Sequence, residues 1–376
     1  MSLLPVTHQS AIDAPDAHEH LLGGKRLGLI TNPSGVNAAF VSTATLLAER
    51  YNLVALYGPE HGVRGDAQAG EAVDTKSIGP RGIPEYSLYG RTSRPTPEML
   101  AGVELMLFDI QDIGSRFYTY IYTLGQAMEA CDAARIPFVV LDRPNPLGGL
   151  RAEGTVIRAA FHSGVGDYGL PARHALTVGE MARRIKRLRA PTCDLTVLPC
   201  PYWDRTSFPA DASWLNPSPN MPSPTAALVY NGTCFFEATN ISEGRGTTRP
   251  YEIIGAPFLD AEGLAAEMNA KNLPGVRFRS CHFTPTFHKH RDTLCHGLQL
   301  HITDRAAFNG FETGVTLFYT IRATTTEMAI ASPSHLNNLF GDETLLRGEE
   351  PLADLLARAH AESAAFLRET SVDLIY

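Results

Sequence analysis

The sequence predicts an α/β fold built on a parallel sheet covered on both faces. Three features point there: near-continuous apolar runs of strand length, segments of helical spacing between them, and Gly-, Pro- or Asn-rich turns where the runs stop. Lys25–Thr31 (KRLGLIT) reads as the first buried strand, stopped by Asn32-Pro33-Ser34-Gly35, and Phe40–Arg50 has helical spacing. Leu53–Tyr57 is a second strand ending at Gly58-Pro59, and Glu104–Ile110 (ELMLFDI) a third. Tyr118–Arg135 reads as a helix whose Tyr122, Met128, Ala130 and Cys131 are available to a packed side. Ile136–Asp142 (IPFVVLD) is a fourth strand, ending at Arg143-Pro144-Asn145-Pro146. Sites in such sheets lie at the carboxyl ends of strands, so the loops after Tyr57, Ile110 and Leu141 are the places to look.

The second half is less regular. Thr177–Arg189 is a basic helix with Thr177 as N-cap and Glu180 completing a capping box. Cys193–Leu198 is a further strand. Residues 199–225 are rich in Pro, Ser and Asn, and a structureless stretch this long in a compact chain is usually functional. A short apolar segment, Ala226–Tyr230, follows. Then come a loop through Tyr251, a helix near Ala261–Lys271, strands at Val276–Phe283 and Gly297–Thr303, and helices at Ala307–Thr324 and Leu352–Arg368. At about 150 residues per domain, 376 residues make two domains or three. The division is placed at 20–225 and 226–376, the break falling within 199–255.

Composition removes several classes. With 32 basic and 40 acidic residues the formal net charge is −8, opposite to the basic surplus of a nucleic-acid protein. Hydrophobic residues at 44% and charged ones at 19% describe a globular chain, not a disordered one. No run approaches the roughly 18 apolar residues of a membrane span. The N-terminus is polar and acidic after five residues and does not read as a signal peptide. That makes a cytoplasmic location the more economical expectation, with a periplasmic or secreted one next if a leader has been removed. None of the six cysteines sits in a C-x-x-C pair, and buried free thiols are expected.

Four polar segments carry the chemistry. In GPEHGVRG, Glu60 directly follows a strand; partial burial of its carboxyl suits it to donate a proton, and Arg64 suits an anionic group or an acidic partner. The competing assignment is a turn in which Glu60 caps a helix. In DIQDIGSRFYTY, carboxylates and amides bind hydroxyls while rings supply apolar faces, as a sugar site requires. Against that stands an Asp109–Arg116 ion pair with Tyr118 and Tyr122 in the core. In DRPNPLGG, two prolines fix a rigid loop with Asp142 as a polar anchor, or else Asp142 and Arg143 brace the turn. In NISEGRGTTRPYE, Arg245 and Arg249 with Glu243 look like an anion clamp.

No cofactor is expected. The lysine and spacing of a Walker loop are missing, and no Gly-x-Gly-x-x-Gly follows the first strand, so a nucleotide or nicotinamide enzyme is disfavoured. His288-x-His290 with His282, Cys281, Cys295 and His296 matches no zinc spacing, so no metal is expected.

The segments GPEHGVRG, LFDIQDIGSRFYTYIYT, VVLDRPNPLGG, PSPNMPSPTAALVYNGTCFFEATNISEGRGTTRPYEIIGAPF and FTPTFHKH resemble the bacterial exo-β-N-acetylmuramidases, long catalogued only as a domain of unknown function. The resemblance runs from about Lys25 to the C-terminus. It implies a Rossmann-like N-terminal domain and a smaller α+β C-terminal auxiliary domain, with the active site in the cleft between them. It implies release of terminal N-acetylmuramic acid from the non-reducing end of peptidoglycan fragments, with the catalytic glutamate at Glu60. Chemistry supplies the remaining expectations. The second catalytic role falls to Glu243 or Asp112, or to the substrate's own acetamido oxygen held by Asp112 or Tyr118. The lactyl carboxylate of muramic acid calls for a fixed cation from Arg64, Arg116, Arg245 or Arg249. His61, Gln111, Tyr118, Asp142, Arg143, Asn220 and Asn240 complete the expected substrate contacts. The expected partners are muramic-acid saccharides, with no nucleic acid; oligomeric state is not readable. A non-catalytic muropeptide-binding protein and a hydrolase of another acidic sugar conjugate are the competing functions.

Overall fold

The computed structural model describes residues 11–13, 15–65, 76–78, 82–201, 203–208 and 214–376. The N-terminal reading on residues 1–10, and parts of the loop expected over 199–225, lie outside them. Among the described residues, seven strands form the main sheet: β1 (Arg26–Thr31), β2 (Asn52–Gly58), β3 (Lys76–Ile78), β4 (Pro84–Ser87), β5 (Leu105–Asp109), β6 (Phe138–Leu141) and β7 (Leu195–Leu198). Their order is β3-β4-β2-β1-β5-β6-β7, parallel throughout except for the antiparallel edge strand β3. The chain leaves β1 toward β2 and β4, then crosses back to β5 on the other side. That reversal opens a crevice at the carboxyl ends of β1 and β5. This is the expected Rossmann-like arrangement.

Every residue of β5 and β6 is buried, as in a sheet covered on both faces. On one face Leu27, Leu29, Leu53, Leu105, Leu107 and Val139 pack against Leu47 of the helix Thr43–Arg50. On the other, Ile30, Met106, Phe108 and Val140 meet the helix Tyr120–Ala134. The second cluster continues without a break into Phe235, Phe311, Phe318 and Phe340 of the C-terminal part. There β8 (Ile253–Ala256), β9 (Val276–Phe283) and β10 (Cys295–Ile302) make a small antiparallel sheet in the order β8-β10-β9. The segment Ala226–Tyr230 proves to be the middle of a helix, Pro224–Thr233, with Ser223 capping it and Pro224 in its first turn. It lies backbone to backbone on the helix Gly310–Thr324, because a Cβ on Gly314 would fall 2.3 Å from Gly232. Among the described residues no helix is long and apolar enough to cross a membrane.

Arg116, expected at the substrate, is instead the tie between the two halves. It is fully buried, and its guanidinium donates to the carbonyls of Thr155 (2.7 Å), Leu170 (2.8 Å), Leu339 (2.7 Å) and Phe340 (2.9 Å). Arg116→Met leaves those buried acceptors bare, and unfolding in urea is expected to show a loss of about 3–5 kcal/mol. A loss under 1 kcal/mol contradicts this assignment.

Candidate active site

The turn after β2 is tight: Gly62 N donates to Pro59 O at 2.9 Å, and Leu88 N to Gly58 O at 2.8 Å. His61 adopts a left-handed backbone with φ 74°, a strained state that surrounding contacts must hold. The turn sets Glu60 half-buried on the wall of a cavity of about 230 Å³. Thr119, just before the helix Tyr120–Ala134, donates its hydroxyl to Glu60 Oε2 at 2.9 Å. Burial, then the charge and hydrogen bond of Glu60, push the Tyr89 phenol up to about 12, so it remains a donor.

The floor is aromatic. Tyr118 meets Tyr120 edge-on with ring centres 4.7 Å apart, and Tyr230 meets Tyr251 at 4.6 Å. Tyr120 OH (2.6 Å) and Asn32 Nδ2 (3.0 Å) both donate to Pro217 O. These bonds anchor the chain just ahead of Ser218, Asn220 and Met221, which also line the cavity.

The remaining wall carries Glu237, Arg245, Tyr251 and His335. Arg245 Nη2 donates to Glu237 Oε1 at 2.8 Å and to the Tyr251 hydroxyl, which itself donates to Glu237 Oε1 at 2.9 Å. His335 Nε2 lies 3.5 Å from Glu237 Oε2. Burial pushes the Glu237 carboxyl up, but His335, Arg245 and Tyr251 outweigh it and hold the pKa at about 2. Glu237 is therefore ionised throughout the working range of a protein. The stability tied to that depression is present above the ordinary value of 4.5 and is lost as pH falls toward about 2. Removing one donor, as in His335→Ala, raises the pKa of Glu237. An activity that needs this ion then loses its acid side at higher pH than the parent, and a pH–rate profile checks it. An unmoved acid limb contradicts the dependence.

Of the residues expected at the site, the structure brings Glu60, His61, Tyr118, Asn220 and Arg245 to this cavity. The others do different work. Asp142 is fully buried and braces the start of the helix Val178–Arg189, accepting from Gly179 N (2.7 Å), Thr177 Oγ1 (2.8 Å) and Tyr376 OH (2.8 Å). Arg143 is buried against Asp109 at 2.6 Å, so the acidic partner expected for Arg116 is taken. Asp112 accepts from Gly114 N at 2.7 Å and faces His174 at 3.3 Å, while Gln111 braces the carbonyls of Asp112 and Pro144. Arg64 is exposed beside Glu85 at 3.9 Å. Arg249 pairs with Glu252 at 2.9 Å, and Asn240 binds the backbone of Glu327 and Ala329. Glu243 is fully buried among Arg245, His288 and Lys289.

Glu237 is absent from the expected site residues, although it is the one charged residue between Asp211 and Glu243. A lone carboxylate in so apolar a stretch is the signal that marks it. Tyr251, Tyr230 and Thr119 lay inside segments already singled out. His335 comes from the distant helix Pro333–Phe340 and had no local signal.

Comparison with known proteins adds two family models and three relatives. The model described as exo-beta-N-acetylmuramidase NamZ, N-terminal, matches residues 27–225, and its C-terminal counterpart matches residues 228–376. The chain is 50% identical over 319 residues to the peptidoglycan beta-N-acetylmuramidase NamZ of Bacillus subtilis (strain 168), covering 83% of this chain and 77% of that protein. A crystal structure of a DUF1343 family protein from Bacteroides fragilis superposes with a TM-score of 0.90 at 33% identity, over 99% of this chain and 100% of the other. A second such protein from the same organism gives 0.74 at 26% identity, over 98% of each chain.

Proposed function

The chain belongs to the exo-β-N-acetylmuramidase NamZ family, and from that premise we propose that it releases terminal N-acetylmuramic acid from the non-reducing end of peptidoglycan fragments, with Glu60 giving the proton and Glu237 meeting the positive charge. It is a glycoside hydrolase of peptidoglycan. The observation that carries the finer reading is one cavity walled by two carboxyl groups, of which Glu237 is held as an anion. Glu60 accepts from the Thr119 hydroxyl and lies beside the Tyr89 phenol, whereas Glu237 is fixed as an anion by Arg245, Tyr251 and His335. Glycoside hydrolysis asks for two carboxyl groups in two roles: one acid protonates the leaving oxygen, and one carboxylate faces the oxocarbenium-like ring. The space of about 230 Å³ lies below the roughly 300–1,000 Å³ of pockets for drug-sized ligands, which suits one sugar at a chain end. Tyr118, Tyr230 and Phe117 offer it apolar faces.

Incubation with para-nitrophenyl N-acetylmuramide beside its glucosamine counterpart tests this reading. Sustained release over many turnovers from the muramide, and little from the glucosaminide, is the expected result. Binding without turnover leaves a muropeptide-binding protein, and preference for another acidic sugar redirects the substrate.

Arg245 is the one arginine of the four expected at the lactyl group that lines this cavity. Its loss removes both the cation and a holder of Glu237. Arg245→Ala is expected to lower kcat/KM on the muramide by about 10²-fold or more, and by less on any glucosaminide activity. Equal losses on both substrates mean that Arg245 serves Glu237 alone.

A further inference from the structure

We infer that Lys289 is a positioning residue for the Glu237–Arg245 pair, acting from the hairpin that joins β9 to β10; the inference rests on the catalytic reading above. The segment FTPTFHKH belongs to that hairpin, and nothing in the cavity accounts for it. Its chain folds back on the loop that carries the pair. Thr286 donates through both N (2.9 Å) and Oγ1 (3.0 Å) to Gly246 O, and His290 Nε2 lies 2.6 Å from Asn240 O. Between these two attachments the Lys289 ammonium gives its three protons to three acceptors. They are Phe236 O at 2.6 Å, Ile241 O at 3.0 Å and Glu243 Oε2 at 2.8 Å.

Each acceptor has a consequence for the site. Phe236 immediately precedes Glu237, and Ile241 lies four residues beyond it, so one cation clamps the backbone on both sides of the carboxylate. Glu243 is fully buried and its Oε1 lies 3.3 Å from Arg245 Nε, so it competes with Glu237 for the arginine. Lys289 offsets that competing charge, and His288 Nδ1 lies 3.2 Å from Glu243 Oε1, leaving Arg245 on Glu237. Burial pushes the Glu243 carboxyl up, but His288 and then Lys289 outweigh it and hold it below its ordinary range. The two residues beside Lys289 are left-handed, His288 at φ 67° and His290 at φ 54°. Non-glycine residues are strained in that region, so the hairpin's contacts are what keep the lysine aimed at the loop.

The test combines kinetics on an N-acetylmuramyl–N-acetylglucosamine disaccharide with amide hydrogen exchange over 236–245. It uses Lys289→Met, Lys289→Arg and the double variant Lys289→Met/Glu243→Gln. The expected result for Lys289→Met is a fall in kcat of about 10²-fold with KM little changed, and faster exchange in that loop. Lys289→Arg, which keeps the charge and several donors, recovers part of the loss. The double variant removes the unpaired buried charge but leaves the Phe236 and Ile241 carbonyls unheld, so it stays about tenfold or more below the parent. A double variant with parental kcat overturns the inference, because the lysine then does no more than balance Glu243. Parental kcat in Lys289→Met overturns it too. Should Lys289→Met not fold, the charge-balanced double variant and Lys289→Arg decide the question. If the parent chain does not cleave the disaccharide, the catalytic reading is what fails, and loop exchange alone still decides whether Lys289 holds the loop.

Discussion

Glu60→Gln is expected to lower kcat by roughly 10²–10⁴-fold on a muramyl disaccharide, the range a positioned general acid supplies. The same variant loses far less on the para-nitrophenyl muramide. A sugar alkoxide is a poor leaving group and needs its oxygen protonated as the bond breaks, whereas a nitrophenolate departs without that help. The contrast between leaving groups assigns the role, which a simple loss of activity does not. The change is also gentle on the fold. Glutamine keeps the shape of Glu60 and still accepts from Thr119 through its amide oxygen, in a side chain only half-buried. Thermal unfolding close to the parent's is therefore expected. Equal and large losses on both substrates point instead to Glu60 as the group that attacks or supports the anomeric carbon. Unchanged turnover on both removes it from the chemistry.

Glu237→Gln behaves differently, because the missing quantity is negative charge rather than a proton. Both substrates pass through the same positively charged ring, so kcat is expected to fall on each by about 10²–10³-fold, the scale of removing one preorganised electrostatic contact. Stability falls as well. Arg245 and Tyr251 lose an ionised acceptor with which they form a buried network, and removing one partner of such a network costs about 3–5 kcal/mol. A second variant separates the two effects: Tyr251→Phe deletes one donor to Glu237 and leaves the charge in place. It is expected to keep most of the activity at neutral pH. Loss confined to the disaccharide in Glu237→Gln, with the aryl muramide spared, contradicts the role given to Glu237 and makes it the proton donor.

The sheet was readable because β1, β2, β5 and β6 are buried on both faces, and such strands are written as unbroken apolar runs. β4 escaped for the opposite reason. It begins at Pro84, carries Glu85, and pairs with β2 through only three residues. The helix Pro224–Thr233 was hidden by residues that look like breakers: Pro224 occupies the first turn, where its missing N–H costs nothing, and Gly232 is a contact point with its neighbour helix.

At the site, the rule that loops after strands carry chemistry located Glu60 and Tyr118. It could not separate a polar side chain facing the cavity from one facing the protein. Asp142 and Arg143 follow the end of β6 and Arg116 that of β5, yet they cap a helix, pair with Asp109 and bind four carbonyls. Only tertiary structure distinguishes these outcomes, since both demand polar residues at the same place. Glu237 and His335 converge from positions nearly a hundred residues apart, and no local pattern encodes that meeting.

The most direct measurement is a crystal structure of the Glu60→Gln variant with an N-acetylmuramyl–N-acetylglucosamine disaccharide bound. The muramyl ring is expected inside the cavity walled by residue 60, Tyr118 and Glu237. The glycosidic oxygen should lie within about 2.6–3.2 Å of the residue 60 side chain, with the Glu237 carboxylate facing the anomeric carbon. A muramyl ring seated elsewhere, or a glycosidic oxygen directed away from residue 60, contradicts it.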